Sequence, residues 1–129
     1  MTEASDEFIK MTATEAVARL RSKEVSPLDL VEASIKRIET VDKEVNALPI
    51  HCFDQARAQA ESLDVERQAA NPKSLCGLPI AVKDYNDLAG TQTTYGSPIF
   101  ANNIAKYSDA TVGKLEDNGA IAVAKSNVP

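Results

Sequence analysis

Two short apolar runs constrain this chain more than anything else in it. Leu78-Pro79-Ile80-Ala81-Val82 lies between Gly77 and Asp84, and Ala120-Ile121-Ala122-Val123-Ala124 follows Asn118-Gly119. Short, continuous apolar runs bounded by turn residues read as strands buried on both faces. Between them, Ser108 is placed to cap a helix carrying Ala110, Val112 and Leu115, which Asn118-Gly119 ends in a left-handed turn. A strand, a crossover helix and a second strand predict parallel pairing within an α/β sheet.

The residues before these runs read as helices. Thr12 or Thr14 can cap a first helix with Ala13, Val17 and Leu20 on one face, ending near Lys23. Ser26-Pro27-Leu28-Asp29 opens a second. Ser26 caps, Pro27 suits the first turn, and Asp29 sits where an acid can reach back. Leu28, Val31, Ile35 and Ile38 then form an apolar stripe down to Val41. A short extended run, Leu48 to Phe53, precedes a stretch from Asp54 to Ala70 rich in helix formers, which Asn71-Pro72 stops. The fold class is therefore α/β, with N-terminal helices packed on the start of a mixed, largely parallel sheet. The organisation expected is one incomplete domain over 1–129, helical over 1–70 and α/β over 71–129. Two or three strands leave such a sheet unfinished, because parallel strands need neighbours and covered faces.

Charge follows the same division. Residues 1–70 carry 14 acidic and 9 basic residues, whereas 71–129 carry 5 of each. The first part reads as solvated helices and the second as buried structure. Neither is basic, so direct nucleic-acid contact is not expected. The acidic, polar start Met1 to Glu7 lacks the pattern of a secretory signal, and no apolar stretch approaches a membrane span. The expectation is a cytoplasmic protein with no membrane contact. Cys52 and Cys76 are too few and too far apart to suggest a zinc site or a disulfide framework, and read as reduced, partly buried thiols.

Among residues that could carry chemistry, Lys83 stands out. It follows an apolar run at the carboxyl end of a strand, where ligands collect in α/β folds. Lost hydration there disfavours the charged form of a lysine, and a neutral amine can take a proton from a hydroxyl. On the residues alone, a strand-end lysine paired with Asp84 or Asp87 is the alternative reading. The serines read as structural: Ser26 and Ser108 as caps, Ser97 in a Gly-Ser-Pro turn, Ser126 after a strand. His51 and Cys52 are adjacent on an extended run and point to opposite faces, so they form no dyad with each other. Asp84-Tyr85-Asn86-Asp87 fails as a calcium loop, because Leu88 and Ala89 stand where an oxygen ligand and Gly belong and Tyr95 replaces the closing Glu. There is no Gly-rich phosphate loop, and no cofactor or metal is expected.

The stretch Gly77-Leu78-Pro79-Ile80-Ala81-Val82-Lys83-Asp84 resembles the Gly-hydrophobic-Pro-hydrophobic-x-hydrophobic-Lys-Asp motif of the amidase signature family. The resemblance continues through Thr93-Thr94-Tyr95-Gly96-Ser97, Ser108 to Val112, Asn118-Gly119-Ala120, and Ala124-Lys125-Ser126-Asn127-Val128-Pro129. The last is similar to the family's Gly-Lys-Thr-Asn-Met-Pro, and Ser26-Pro27 to Asn46-Ala47 resembles its N-terminal helical part. The resemblance implies an amidohydrolase with a Ser–cis-Ser–Lys triad. In it the lysine, matched by Lys83, acts as base through a bridging serine, and a second serine forms an acyl-enzyme. The family's two serines and its oxyanion-hole amides lie downstream, so the nucleophile and the cis-serine are expected to be absent from this chain. A lysine base without a hydroxyl has nothing to activate, and a missing oxyanion donor forgoes roughly 3–4 kcal/mol. The chain alone is therefore expected to be inactive, with Lys83 exposed to water. Asn127 and Val128 fall where the family has residues near the substrate pocket. Asp109 is expected to support a helix start.

The implied substrate is a small or aryl carboxamide. The glutaminase subunit of a tRNA-dependent amidotransferase is the nearest alternative, its RNA contacts left to a partner subunit. Either reading is compatible with a homo-oligomer. A non-catalytic remnant or interaction module using an exposed sheet edge is the reading from a different class.

Overall fold

The computed structural model describes residues 3–129; Met1 and Thr2, at the head of the acidic opening stretch, lie outside it. The element order is α1 (Glu3–Lys10), α2 (Ala13–Arg21), α3 (Pro27–Val45), β1 (Ile50–His51), α4 (Phe53–Ser62), α5 (Val65–Ala70), β2 (Pro79–Lys83), a 3₁₀ turn (Pro98–Phe100), α6 (Ala110–Asp117) and β3 (Ile121–Ser126). The fold is α/β, with helices packed on a small mixed sheet. No helix among the described residues is long and apolar enough to cross a membrane.

Local signals set most helix starts. Thr12 accepts from the Glu15 amide at 3.2 Å while Glu15 accepts from the Thr12 amide at 2.8 Å, a closed capping box. Ser26 and Asp29 repeat the device at α3, with Pro27 in the first turn. Three features of the helices differ from expectation. The inward face of α2 is Ala16 and Leu20, with Ala13 exposed; Ala16 and Leu20 join a core with Val25, Leu30 and Cys76, against which Phe8 and Met11 pack. The stretch from Asp54 to Ala70 is two helices. Leu63 is extended, and Asp64 caps α5 by accepting from the Arg67 amide at 3.0 Å, so a competing cap breaks the run. Asp109, not Ser108, caps α6; the Ser108 hydroxyl instead accepts from the Ala89 amide and donates to Glu116.

The strand order is β1-β3-β2, with β2 parallel and β1 antiparallel to β3. β3 is central and buried from Ile121 to Lys125. Val31, Ile35 and Ile38 of α3 and Ala56 and Ala60 of α4 pack on Ile121 and Val123, covering one face. Cys52, Val82, Leu88, Val112 and Ala122 form the core of the other. β2 departs from the expectation of burial on both faces. Only Val82 is buried; Ala81 and Lys83 are exposed, because β2 is an edge strand whose second face borders an open groove of about 390 Å³ beside α1 and α3. Pro79, which has no amide hydrogen to donate, sits at the first position of that edge strand.

The β2–β3 ladder is irregular in one place. Ile80 partners Ala122, but Ala81 partners Ala124, so β3 carries Val123 as an extra residue. Such a bulge reverses the facing of everything beyond it. Val123 and Ala124 both join the α3/α4 core, and Lys125, the partner of Val82, turns to the opposite face.

Candidate active site

Lys83 ends β2 and is exposed. Its ammonium lies 4.8 Å from the centroid of the Tyr85 ring, a cation–π contact. Neither Asp84 nor Asp87 pairs with it among the described residues, which removes the strand-end ion pair as an account of this lysine. The Lys83 backbone closes a tight turn: its carbonyl accepts from the Asn86 amide at 2.9 Å. Ser126 is its partner across the ladder, so the two side chains leave the same face of the sheet. No hydrogen bond joins them among the described residues.

The Asp84 carboxylate is buried behind this turn. It accepts from the Lys125 ammonium at 3.1 Å, from the Thr94 amide at 3.1 Å and from the Thr94 hydroxyl. Lys125 is fully buried, and its ammonium also donates to the Asn86 carbonyl at 2.7 Å and the Thr93 hydroxyl at 2.8 Å. Each polar group here has a partner, as buried charge requires. The sequence does not single out Lys125. A lysine following an apolar strand reads as a strand end reaching for water, and the turn toward the loop depends on the Val123 bulge, which no periodicity reveals.

Around this centre the loop from Asp84 to Asp109 is tied down repeatedly. Asp109 accepts from the Val112 amide at 2.8 Å and from the Asn86 side-chain amide at 2.7 Å, and these donors, in that order, hold its carboxyl below the usual range. The Tyr95 hydroxyl donates to Asp87, whose carboxylate pushes the phenol up. Thr93 and Asn103 bridge the two arms of the loop with two bonds of 2.9 Å.

Asn127 and Val128 part company in the structure. Asn127 borders a cleft of about 440 Å³ of mixed lining together with Ile50, Asp84, Thr94, Gly96 and Ser97. Its side-chain amide donates to the Asn46 carbonyl at 3.1 Å, and its own side-chain carbonyl oxygen accepts from the Val128 amide at 3.0 Å. Val128 packs instead against Gly96, where a Cβ would come within 2.4 Å of Val128 Cγ2. Lys83 is not on the lining of that cleft. Cys52 is buried, burial pushes its thiol up, and His51 stacks on Phe53 at 4.4 Å between ring centroids, so the two neighbours do separate work. Among the described residues no three His, Cys, Asp or Glu side chains converge on a metal position.

The fold sets a lysine at the end of the parallel edge strand of an α/β sheet, with an acid-anchored turn beyond it. The chain belongs to the Amidase family, which it matches over residues 29–129. It is 36% identical over 121 residues to the A-subunit of the glutamyl-tRNA(Gln) amidotransferase of Geobacter sp. (strain M21), covering 94% of this chain and 25% of that protein. It is 31% identical over 118 residues to an amidase of Pseudomonas putida, covering 92% and 25%. A bacterial aryl acylamidase of the amidase signature family matches in structure with a TM-score of 0.78 at 27% identity, covering 92% of this chain and 25% of that one. The chain thus spans about a quarter of the length of the relatives it matches.

Proposed function

We propose that this chain supplies the base of a serine amidohydrolase, with Lys83 as that base. The observation that carries the reading is the placement of Lys83 at the carboxyl end of a strand parallel to β3, at the end of the Gly77–Asp84 segment, inside the region that matches the family. In the reaction, the neutral Lys83 amine draws a proton from a bridging serine hydroxyl, which takes one from the attacking serine. The attacking oxygen bonds to the amide carbonyl carbon. The C–N bond breaks with return of a proton to the leaving nitrogen, and water then releases the acid from the acyl-serine. The serines and the oxyanion donors come from polypeptide beyond these residues, so residues 1–129 alone do not turn over. Lys83 is exposed to water in this chain, whereas a base of this kind works when shielded from it. Asn127, on the cleft with Asp84 and Thr94, contributes to the substrate pocket, and Val128 supports it from behind Gly96.

The substrate is a carboxamide, cleaved to a carboxylic acid and ammonia or an amine. Glutamine is the specific alternative, favoured by the likeness to the amidotransferase protein, and would bring a partner subunit with it. The test is an ammonia-release assay on the full-length gene product with simple aliphatic and aryl amides and with glutamine. Lys83→Ala should lower kcat by several orders of magnitude with the fold intact, and residues 1–129 alone should give no turnover. Activity retained by Lys83→Ala would show that another group is the base.

A further inference from the structure

We infer that Lys125 is the positioning residue for Lys83: its buried ammonium locks the Lys83–Asn86 turn and so fixes where the Lys83 amine points. The inference deepens the reading of Lys83 as the base and rests on it for its catalytic meaning.

The argument starts with what the turn would do without a clamp. Lys83 is exposed at the end of an edge strand, and its long side chain has many rotamers of similar energy. One weak contact, the Tyr85 ring at 4.8 Å, orients its ammonium. That contact exists only if Tyr85 is held on the Lys83 side of the turn. The residues on either side of Tyr85 see to this. Asp84 is bound through its carboxylate and Asn86 through its carbonyl, and the group that binds both is the Lys125 ammonium, at 3.1 and 2.7 Å. With the chain pinned on both sides of it, Tyr85 is held where its ring meets the Lys83 ammonium.

The clamp also reaches the far arm of the loop. Lys125 donates to the Thr93 hydroxyl at 2.8 Å, and Asp84 holds Thr94 by its amide and its hydroxyl. The three partners of the ammonium therefore fix both ends of the segment that follows the strand. The Val123 bulge makes this arrangement available, because without the extra residue in β3 the Lys125 side chain would face α3 and α4. A burial as costly as that of a lysine at 0% exposure, beside an edge strand that an aliphatic residue could pack, fits a geometric role.

The test reads geometry rather than turnover, so it is independent of whether Lys83 proves to be the base. In the full-length gene product, isotopically labelled at lysine Cε, the Lys83 Cε protons, identified with Lys83→Arg, should resonate upfield of their position in Tyr85→Leu, through the ring current. In Lys125→Met, and to a smaller extent in Thr93→Val, they should move toward the Tyr85→Leu position while the β3 and α3 amides stay put. If Lys125→Met does not fold, Thr93→Val, which removes one partner and keeps the ion pair, decides alone. Wild-type Lys83 signals matching Tyr85→Leu, or a folded variant with those signals unmoved, would overturn the inference. Loss of the ring-current shift together with an active Lys83→Ala enzyme would leave the clamp standing and remove only the catalytic reading.

Discussion

Lys83 and Lys125 lie on neighbouring strands and are held in opposite ways. Lys125 has exchanged its hydration for three protein oxygens, and Lys83 keeps its water and one aromatic face. Removing one partner of a buried pair leaves the other charge stranded, at a cost of about 3–5 kcal/mol, whereas an exposed substitution usually changes stability by less than about 0.5 kcal/mol. Asp84→Ala should therefore lose that larger amount in urea denaturation, and Lys83→Ala almost none. Equal losses would mean that the Asp84–Lys125 pair is not the anchor its geometry describes. At this scale the sequence displays Lys83 openly, because an apolar run ending in Lys-Asp is visible in one dimension. It hides Lys125, whose burial depends on three partners that are 32 to 41 positions away and on a bulge.

Among the elements, α6 is where titration and structure meet most directly. Asp109 caps the helix through the Val112 amide and also accepts from Asn86, which joins α6 to the turn beyond Lys83. Its carboxyl is held below the usual range, so folding favours the ionised form. The stabilisation is complete above the unfolded value of about 3.9 and disappears as pH falls through the lower folded value. Asp109→Asn keeps a capping residue type but cannot titrate. Its acid unfolding limb should be shallower than wild type over that window, measured by circular dichroism against pH; coincident limbs would assign the acid sensitivity to other carboxylates. The cap itself illustrates what local chemistry can and cannot reveal. Ser108 and Asp109 are both good caps, and the sequence offers no way to choose. The structure chooses Asp109 because the Ser108 hydroxyl is drawn to Ala89 and Glu116. The split of the Asp54–Ala70 stretch has the same origin, a local cap at Asp64 overriding helix propensity. By contrast, the capping box and apolar stripe of α3 were legible, since every signal in Ser26–Ile38 agrees.

For the molecule as a whole, β3 is the element on which the rest depends. It is central in the sheet, covered by α3 and α4 on one face and by Leu88 and Val112 on the other. The apolar run Ala120–Ala124 announces this, because a strand buried on both faces has no polar alternation. The similar run in β2 misleads, since its second face borders the groove beside α1 and α3 and nothing in its composition records that. Stability should be graded accordingly. A backbone amide exchanges only when its hydrogen bond opens, and opening is costliest where the most apolar surface would be exposed with it. Exchange should therefore be slowest from Ile121 to Lys125, intermediate in α3, and fastest in α1, whose residues from Asp6 to Lys10 are exposed or only half-buried. Native-state hydrogen exchange resolves these segments directly. If α1 were protected as strongly as β3, the chain would unfold as one cooperative unit, and the graded architecture described here would not govern its stability.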